Sequence, residues 1–400
     1  MRSAACTQPH MDSAELGSWL RLLGCPGVGR RTARRLLSRL GSPGAVATAD
    51  GQLLVELVGE DVATALQSPM PEVEELLART QQWLSGSAAR AVVAIGDPTY
   101  SPLLLETADP PLLLYAQGRL DLLHATSVAV VGSRRPTQQG IDTARQIARE
   151  LSERCWTVVS GLAAGIDGAA HCGGLEGEAG TIAVVGTGLD QVYPRRHVEL
   201  ARRIEAGGLM LSEYPIATPP LASNFPQRNR IIAGLARGTL VVEAAVRSGS
   251  LITARLAAEE GREVLAVPGS IRAEQSRGCH ALIRDGAALV ESVDDILAAV
   301  APRTRPSGPD PGAPGTVECD PPRGPARSSA ATRQDSTAGD PTTEADPILR
   351  ALGYDPVDLD TLMARSGHPA ANINARLIEL EFEGRVARLP GGRYQRRGTG

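Results

Sequence analysis

Short apolar runs alternate with longer amphipathic ones through the middle of the chain. SVAVV (127–131), TVVS (157–160), TIAVV (181–185), LMLSEY (209–214), TLVVEA (239–244) and EVLAV (263–267) are brief and mostly apolar. Runs of that kind predict strands buried on both faces. Between them lie stretches with helical spacing: TARQIARELSER, the Ala/Gly/Ile-rich segment around 162–176, HVELARRIEAG, NRIIAGLA and LITARLAAEEG. Strands alternating with helices predict βαβ units, and so an α/β fold built on a doubly wound parallel sheet. AVVAI (91–95) and LLLY (112–115) add two further strands ahead of it.

The ends read differently. Residues 13–85 carry leucines at helical spacing in SWLRLL, RRTARRLLSRL and PEVEELLARTQQWL, which predicts a helical domain. Residues 301–346 are rich in Pro, Gly, Ser and Thr and hold almost no large apolar side chain, so a disordered tether is expected there. The domains expected are 1–85, 86–300, the tether at 301–346, and 347–400.

Composition narrows the function. All 41 basic residues are arginine, and the net charge is −4. The chain is no polycation, so any nucleic-acid site must be a local patch, and arginine would supply planar, bidentate donors to phosphate. Its six cysteines (Cys6, Cys25, Cys155, Cys172, Cys279 and Cys319) are scattered with no C-x-x-C pair. That spacing favours reduced thiols in a cytoplasmic protein over a zinc site or a disulfide framework. Apolar runs fall short of the roughly 20 residues of a membrane span, and the N-terminus lacks a signal peptide's apolar stretch.

Candidate chemistry collects after the strands. Gly132-Ser133-Arg134-Arg135 follows the first of the six. The Ser160-Gly161 turn, with Gly165 beyond it, follows the second; Gly186-Thr187-Gly188 follows the third. Ser248-Gly249-Ser250 comes after the fifth and Pro268-Gly269-Ser270 after the last. In an open parallel sheet such loops share one rim, where glycine lets backbone N–H groups approach an anion. The VVGSRRPTQQG loop lacks a dinucleotide G-x-G-x-x-G pattern, and no Walker A motif is present. Arg228, Asn229 and Arg230 open the NRIIAGLA helix, as if to meet an anion at its positive end. A competing reading pairs Arg228 or Arg230 with Glu213 or Glu243, and reads Asn229 as the helix cap. Asp167 and His171, four apart, read as a structural hydrogen bond rather than a catalytic pair.

VAVVGSRRPTQQG, VVSGLAAGIDGAAH, GTIAVVGTGLDQVYP, LSEYP, FPQRNRIIAGLA, LVVEAAVRSGSLITARLAAEEGREVLAVPG and GCHALIRDGAALV resemble, in order, the signature of the DNA-processing protein A family (DprA/Smf) over about residues 90–295. The resemblance implies an extended Rossmann-like domain that binds single-stranded DNA. It implies protection of incoming strands in natural transformation and loading of the RecA recombinase, with no catalysis and no cofactor. It puts the DNA pocket on Ser133, Arg134, the Ser160-Gly161 turn, and Phe225 with Arg228, Asn229 and Arg230. It puts a homodimer surface on His280, Ile283 and Leu289. GCPGVGRRTARRLLSRLG resembles a helix-hairpin-helix (SAM-like) motif, with Arg30, Arg31, Arg34 and Arg35 beside the turn. The tail resembles a winged helix, in which Asn372, Asn374 and Arg376 of the third helix could reach nucleic acid. Two rivals remain: a nucleoside-monophosphate phosphoribohydrolase on the same fold, with Glu243 before its AAVRSGSLITA loop, and a pure adaptor.

Overall fold

The computed structural model describes residues 11–301, 346–353, 355–389 and 393–396. The proposed tether lies outside them except for its two end residues. The N-terminal region is six helices: α1 (Ser13–Gly24), α2 (Arg30–Leu40), α3 (Pro43–Ala47), α4 (Gly51–Val58), α5 (Glu60–Gln67) and α6 (Pro71–Ser85). Local chemistry sets their starts. Asp12, Ser42 and Asp50 each accept a backbone N–H at the first turn of α1, α3 and α4.

A nine-stranded sheet follows. Its strands are β1 (Arg90–Ala94), β2 (Leu113–Gly118), β3 (Ser127–Val131), β4 (Thr157–Ser160), β5 (Thr181–Val184), β6 (Leu209–Ser212), β7 (Gly238–Val241), β8 (Glu263–Ala266) and β9 (Ala288–Leu289). They lie in the order β1-β2-β6-β5-β4-β3-β7-β8-β9. The seven strands β3 to β9 pair with their neighbours in parallel, while β1 and β2 extend the β6 edge antiparallel. The connecting helices are α7 (Pro102–Leu105), α8 (Gln138–Glu153), α9 (Ile166–Gly174), α10 (Val198–Gly207), α11 (Asn224–Leu235), α12 (Ser250–Glu259), α13 (Arg277–Arg284) and α14 (Val293–Val300).

Strand β3 shows why a continuous apolar run is needed. Val128 and Val130 pack with α8, α9 and α14 on one face, while Ala129 and Val131 pack with α11, α12 and α13 on the other. Side chains alternate along a strand, so burial on both faces leaves no position facing solvent, and the one polar side chain, Ser127, donates to the Leu235 carbonyl at 2.8 Å. The helical region is not a separate bead. Leu16, Trp19 and Trp83 share one core with Val92, Tyr115 and Met210 of the sheet.

Half-buried charge reinforces this joint. Arg30 Nε lies 3.0 Å from Asp109 Oδ2 and its Nη1 lies 3.3 Å from Glu213. Arg34 also pairs with Asp109, and Arg230 pairs with Glu213 while donating to the Asp109 carbonyl at 2.6 Å. Arg30 and Arg34, which the sequence sets beside the hairpin turn, dock the helical region onto the sheet. Arg31 and Arg35 stay exposed.

The C-terminal unit comprises α15 (Pro347–Leu352), α16 (Leu359–Ser366), α17 (Ala370–Phe382) and the two-stranded β10 (Val386–Leu389) and β11 (Arg393–Arg396). Ile348, Leu352, Leu362, Ile373, Leu377 and Leu380 form its own core. Arg376, expected to be available to nucleic acid, is held by Asp346 at 2.7 Å and by Glu379 at 2.5 Å.

Candidate nucleic-acid interface

The strand order reverses beside β3, which has β4 on one side and β7 on the other. At such a switch point the loops leaving two neighbouring strands diverge to opposite faces, and a crevice opens outside their carboxyl ends. A cleft of about 750 Å³ occupies that place. It takes Gly132, Ser133, Arg134 and Arg135 from the loop after β3, and Arg247, Ser248 and Gly249 from the loop after β7. The start of α11 adds Phe225, Arg228 and Asn229.

The loop after β3 is pinned from several directions. Ser133 N–H donates to the Glu243 carbonyl at 2.7 Å, and Ser133 C=O accepts from Ile166 at 3.2 Å. The Ser133 hydroxyl accepts the Arg135 N–H at 3.0 Å. Gly132 is required by packing: a Cβ there would meet the Ile166 side chain at 2.7 Å. These bonds present the side chains of Arg134 and Arg135, both exposed, on a fixed loop. Arg247, also exposed, faces the same space from the opposite loop. Glu274 and the buried Asp167 are the carboxylates among the lining residues.

Two helices point their amino ends at the cleft. Phe225 and Pro226 open α11; Ser250, Ile252 and Thr253 open α12. Loop groups already accept their leading N–H groups: Asn224 donates to the Leu221 carbonyl at 3.1 Å, and Ser250, Leu251 and Ile252 donate to Ser248 Oγ, the Ser248 carbonyl and the Gly249 carbonyl at 3.3, 3.1 and 3.1 Å. The dipoles of the two helices still add positive potential to that of the arginines.

An aromatic step adjoins this charge. Phe225 lies over the Gly186 loop, where a Cβ would come within 3.2 Å of its ring. Tyr193, which is 49% exposed, leans on Phe225 with centroids 5.4 Å apart. Tyr193 and Arg247 escaped the sequence reading. Arg247 sat visibly between a strand end and a Ser-Gly-Ser turn, but Tyr193 belongs to a different loop and only tertiary structure brings it to Phe225.

Other sequence candidates go elsewhere. The NFPQRNR segment is already helical at Asn224, so the helix does not start at Arg228. Proline is tolerated in a first turn, which lets α11 begin ahead of it. Arg228 then lies one turn in and is 4% exposed, its Nη1 donating to the carbonyls of Gly161 and Val184. Arg230 is held by Glu213, as the competing reading had it, and does not line the cleft. Asn229 is inside the helix, so it does not cap it. Ser160 is buried and donates to the Val130 carbonyl at 2.7 Å. Gly161 lies beneath Arg228, and a Cβ there would meet the guanidinium at 2.2 Å. Gly165, at φ +84, shapes the turn ahead of α9 below Arg134. His197 sets its Nδ1 3.0 Å from the Leu162 carbonyl.

Buried titratable groups brace the rim rather than reach into it. Asp167 accepts the N–H groups of Gly161 and Ala163 at 3.2 and 3.3 Å. Burial raises its pKa against the pull of Arg228. Glu243 accepts the Thr137 N–H at 2.9 Å and the Thr137 hydroxyl at 2.5 Å, so it fixes the start of α8. Burial raises Glu243 too, and the Thr137 bonds oppose that shift. Among the described residues, no three His, Cys, Asp or Glu are grouped to hold a metal ion.

His171 makes a testable contribution to stability. Its Nε2 accepts the Leu162 N–H at 3.2 Å, and its Nδ1 lies 2.8 Å from the Thr181 hydroxyl. Burial, with His197 and Arg228 nearby, lowers its pKa from 6.5 to about 3. The folded chain holds the ring neutral, so between pH 6.5 and about 3 the unfolded chain binds the extra proton. Stability therefore falls on acidification through that window, by up to about 1.4 kcal/mol per pH unit. Urea midpoints measured across that range should fall less steeply for His171→Gln than for the native chain.

Comparisons with known proteins agree with this architecture. Residues 91–301 match the DNA recombination-mediator protein A family, and residues 329–392 match the DprA winged helix domain. Protein Smf of Escherichia coli is 42% identical over 303 residues, covering 73% of this chain and 74% of its own. DNA processing protein DprA of Streptococcus pneumoniae is 50% identical over 205 residues, 51% of this chain and 72% of its own. The X-ray structure of DprA from Streptococcus pneumoniae superposes with a TM-score of 0.57 at 39% identity, covering 72% of this chain and 98% of that one. Among the described residues, no helix is long and apolar enough to cross a membrane. The family match over the whole sheet domain, with close relatives spanning most of the chain, places this protein in the DNA recombination-mediator protein A family, the DprA/Smf proteins.

Proposed function

We propose that the chain binds single-stranded DNA along the carboxyl rim of its sheet, shields it, and delivers it to the RecA recombinase in the cytoplasm. One observation carries the reading. Three exposed arginines, the amino ends of two helices and an aromatic pair face the same cleft of about 750 Å³. Cations and helix amino ends suit phosphates, and the aromatic step suits an unpaired base, which every sequence can offer. Relatives named DNA processing protein fit this role.

The reading is one of binding rather than catalysis. The phosphoribohydrolase rival needs Glu243 free to act on a nucleotide, and Glu243 is instead engaged by Thr137. The aromatic pair supplies the test. Tyr193→Ala with Phe225→Ala should weaken binding of an unstructured oligonucleotide by about 1–3 kcal/mol per lost stack, without changing its salt dependence. Fluorescence anisotropy on mixed-sequence single strands measures both; undiminished affinity would rule out stacking at this step.

A homodimer completes the proposal. Leu289 is 50% exposed and Ile271 82% exposed, with His280 and Ile283 half-buried in the same C-terminal part of the sheet domain. Exposed apolar side chains of this kind suit a self-complementary interface. Leu289→Glu is expected to convert the dimer to monomer by light scattering, at unchanged melting temperature.

A further inference from the structure

The rim cleft does not end at Arg135. A second recess of about 450 Å³ begins on the other side of the same loop, sharing Arg134, Arg135 and Gln275 with the first. Its far wall belongs to the C-terminal unit, which contributes Arg350 from α15 and Arg396 from β11. Arg196 adds a further cation from the loop ahead of α10. Among the described residues, Asp346 is the only carboxylate lining it, and Arg376 already holds it at 2.7 and 2.6 Å. Specific contacts seat the unit here. Arg365 Nε lies 3.2 Å from Asp142 Oδ2 on α8, Asp355 accepts from Gln139, and Gly353 rests against Gln139.

We propose that the winged helix prolongs the track, and that the recess takes a further stretch of the sugar-phosphate backbone of the strand already held in the rim cleft. This rests on the single-strand reading of that cleft. The winged helix would then work through α15 and β11. Its third helix is poorly suited, because Arg376 is engaged and Glu379, Glu381 and Glu383 are exposed. Phosphate is the ligand chemistry that fits. Among the described residues, five arginines and no aromatic side chain line the recess.

Length dependence of binding tests this on the full chain. Arg196→Glu with Arg350→Glu should lower affinity for an oligo-dT of about twenty nucleotides roughly tenfold, and flatten its salt slope by about 1.4, at ~0.7 per phosphate contact. Affinity for an oligo-dT of about six nucleotides, short enough for the rim cleft alone, should change less than twofold. Asp142→Arg, which sets like charges against Arg365 and loosens the docking, should reproduce the length-selective loss. Equal losses at both lengths, or none at either, would overturn the proposal. Selective loss on duplex DNA alone would also overturn it, by making the winged helix a double-strand reader. Failure of the native chain to bind either length would instead sink the rim reading itself.

Discussion

Arg134→Glu combined with Arg247→Glu is expected to reduce single-strand affinity by about 100-fold or more. Charge-assisted contacts contribute ~1.5–3 kcal/mol each, so losing two removes at least about 3 kcal/mol. Reversal adds repulsion to that loss. The salt slope should flatten by about 1.4, since each phosphate contact on a single strand contributes ~0.7. Both side chains are exposed on opposite walls of the cleft, so folding should be little affected. A loss of binding with an unshifted melting curve is thus the expected pair of results. Unchanged affinity would mean that the strand runs elsewhere.

Arg228→Met should behave in the opposite way. Its guanidinium is buried, bonded to the Gly161 and Val184 carbonyls, and beside the buried Asp167. Burial pulls its pKa down to about 10, with Asp167 opposing, so it remains cationic at neutral pH. Methionine would leave two carbonyls without a donor and one carboxylate without its counter-charge. Removing one partner from a buried ionic cluster costs about 3–5 kcal/mol, and a domain of this size loses roughly 2–4 °C per kcal/mol. The sheet domain should therefore melt about 6–20 °C earlier. Calorimetry decides the matter: loss of DNA binding at full thermal stability would show that Arg228 contacts the strand and does not hold the rim together.

Much of this was legible in the sequence because burial on both faces leaves a plain mark. Six parallel strands, β3 to β8, fall within three residues of where the apolar runs put them, while the two-residue β9 answers to none of those runs. The rim followed as well, because glycine and serine cluster where the chain leaves a strand. The arginines were harder to assign. Arg134 and Arg228 look alike in sequence, yet one sits on an exposed loop while the other reaches beneath the sheet edge. The difference arises because α11 starts at Asn224, and because the strand order sets the carbonyls of Gly161 and Val184 side by side. Neither fact is local. Likewise Arg30 and Arg230 converge on Asp109 and Glu213 only after the helical region has docked. An arginine's neighbours in sequence say little about its partner in space.

The most direct measurement is a titration of the full chain, at several salt concentrations, with an oligo-dT of about six nucleotides, short enough for the rim cleft alone. Three rim arginines and two helix starts predict tight, sequence-tolerant binding whose log affinity falls linearly with log salt, with a slope of about −2 to −3. Binding that ignores salt, or no binding beside avid uptake of a mononucleotide, would show that the cleft at the sheet's switch point serves a small metabolite and not a DNA strand.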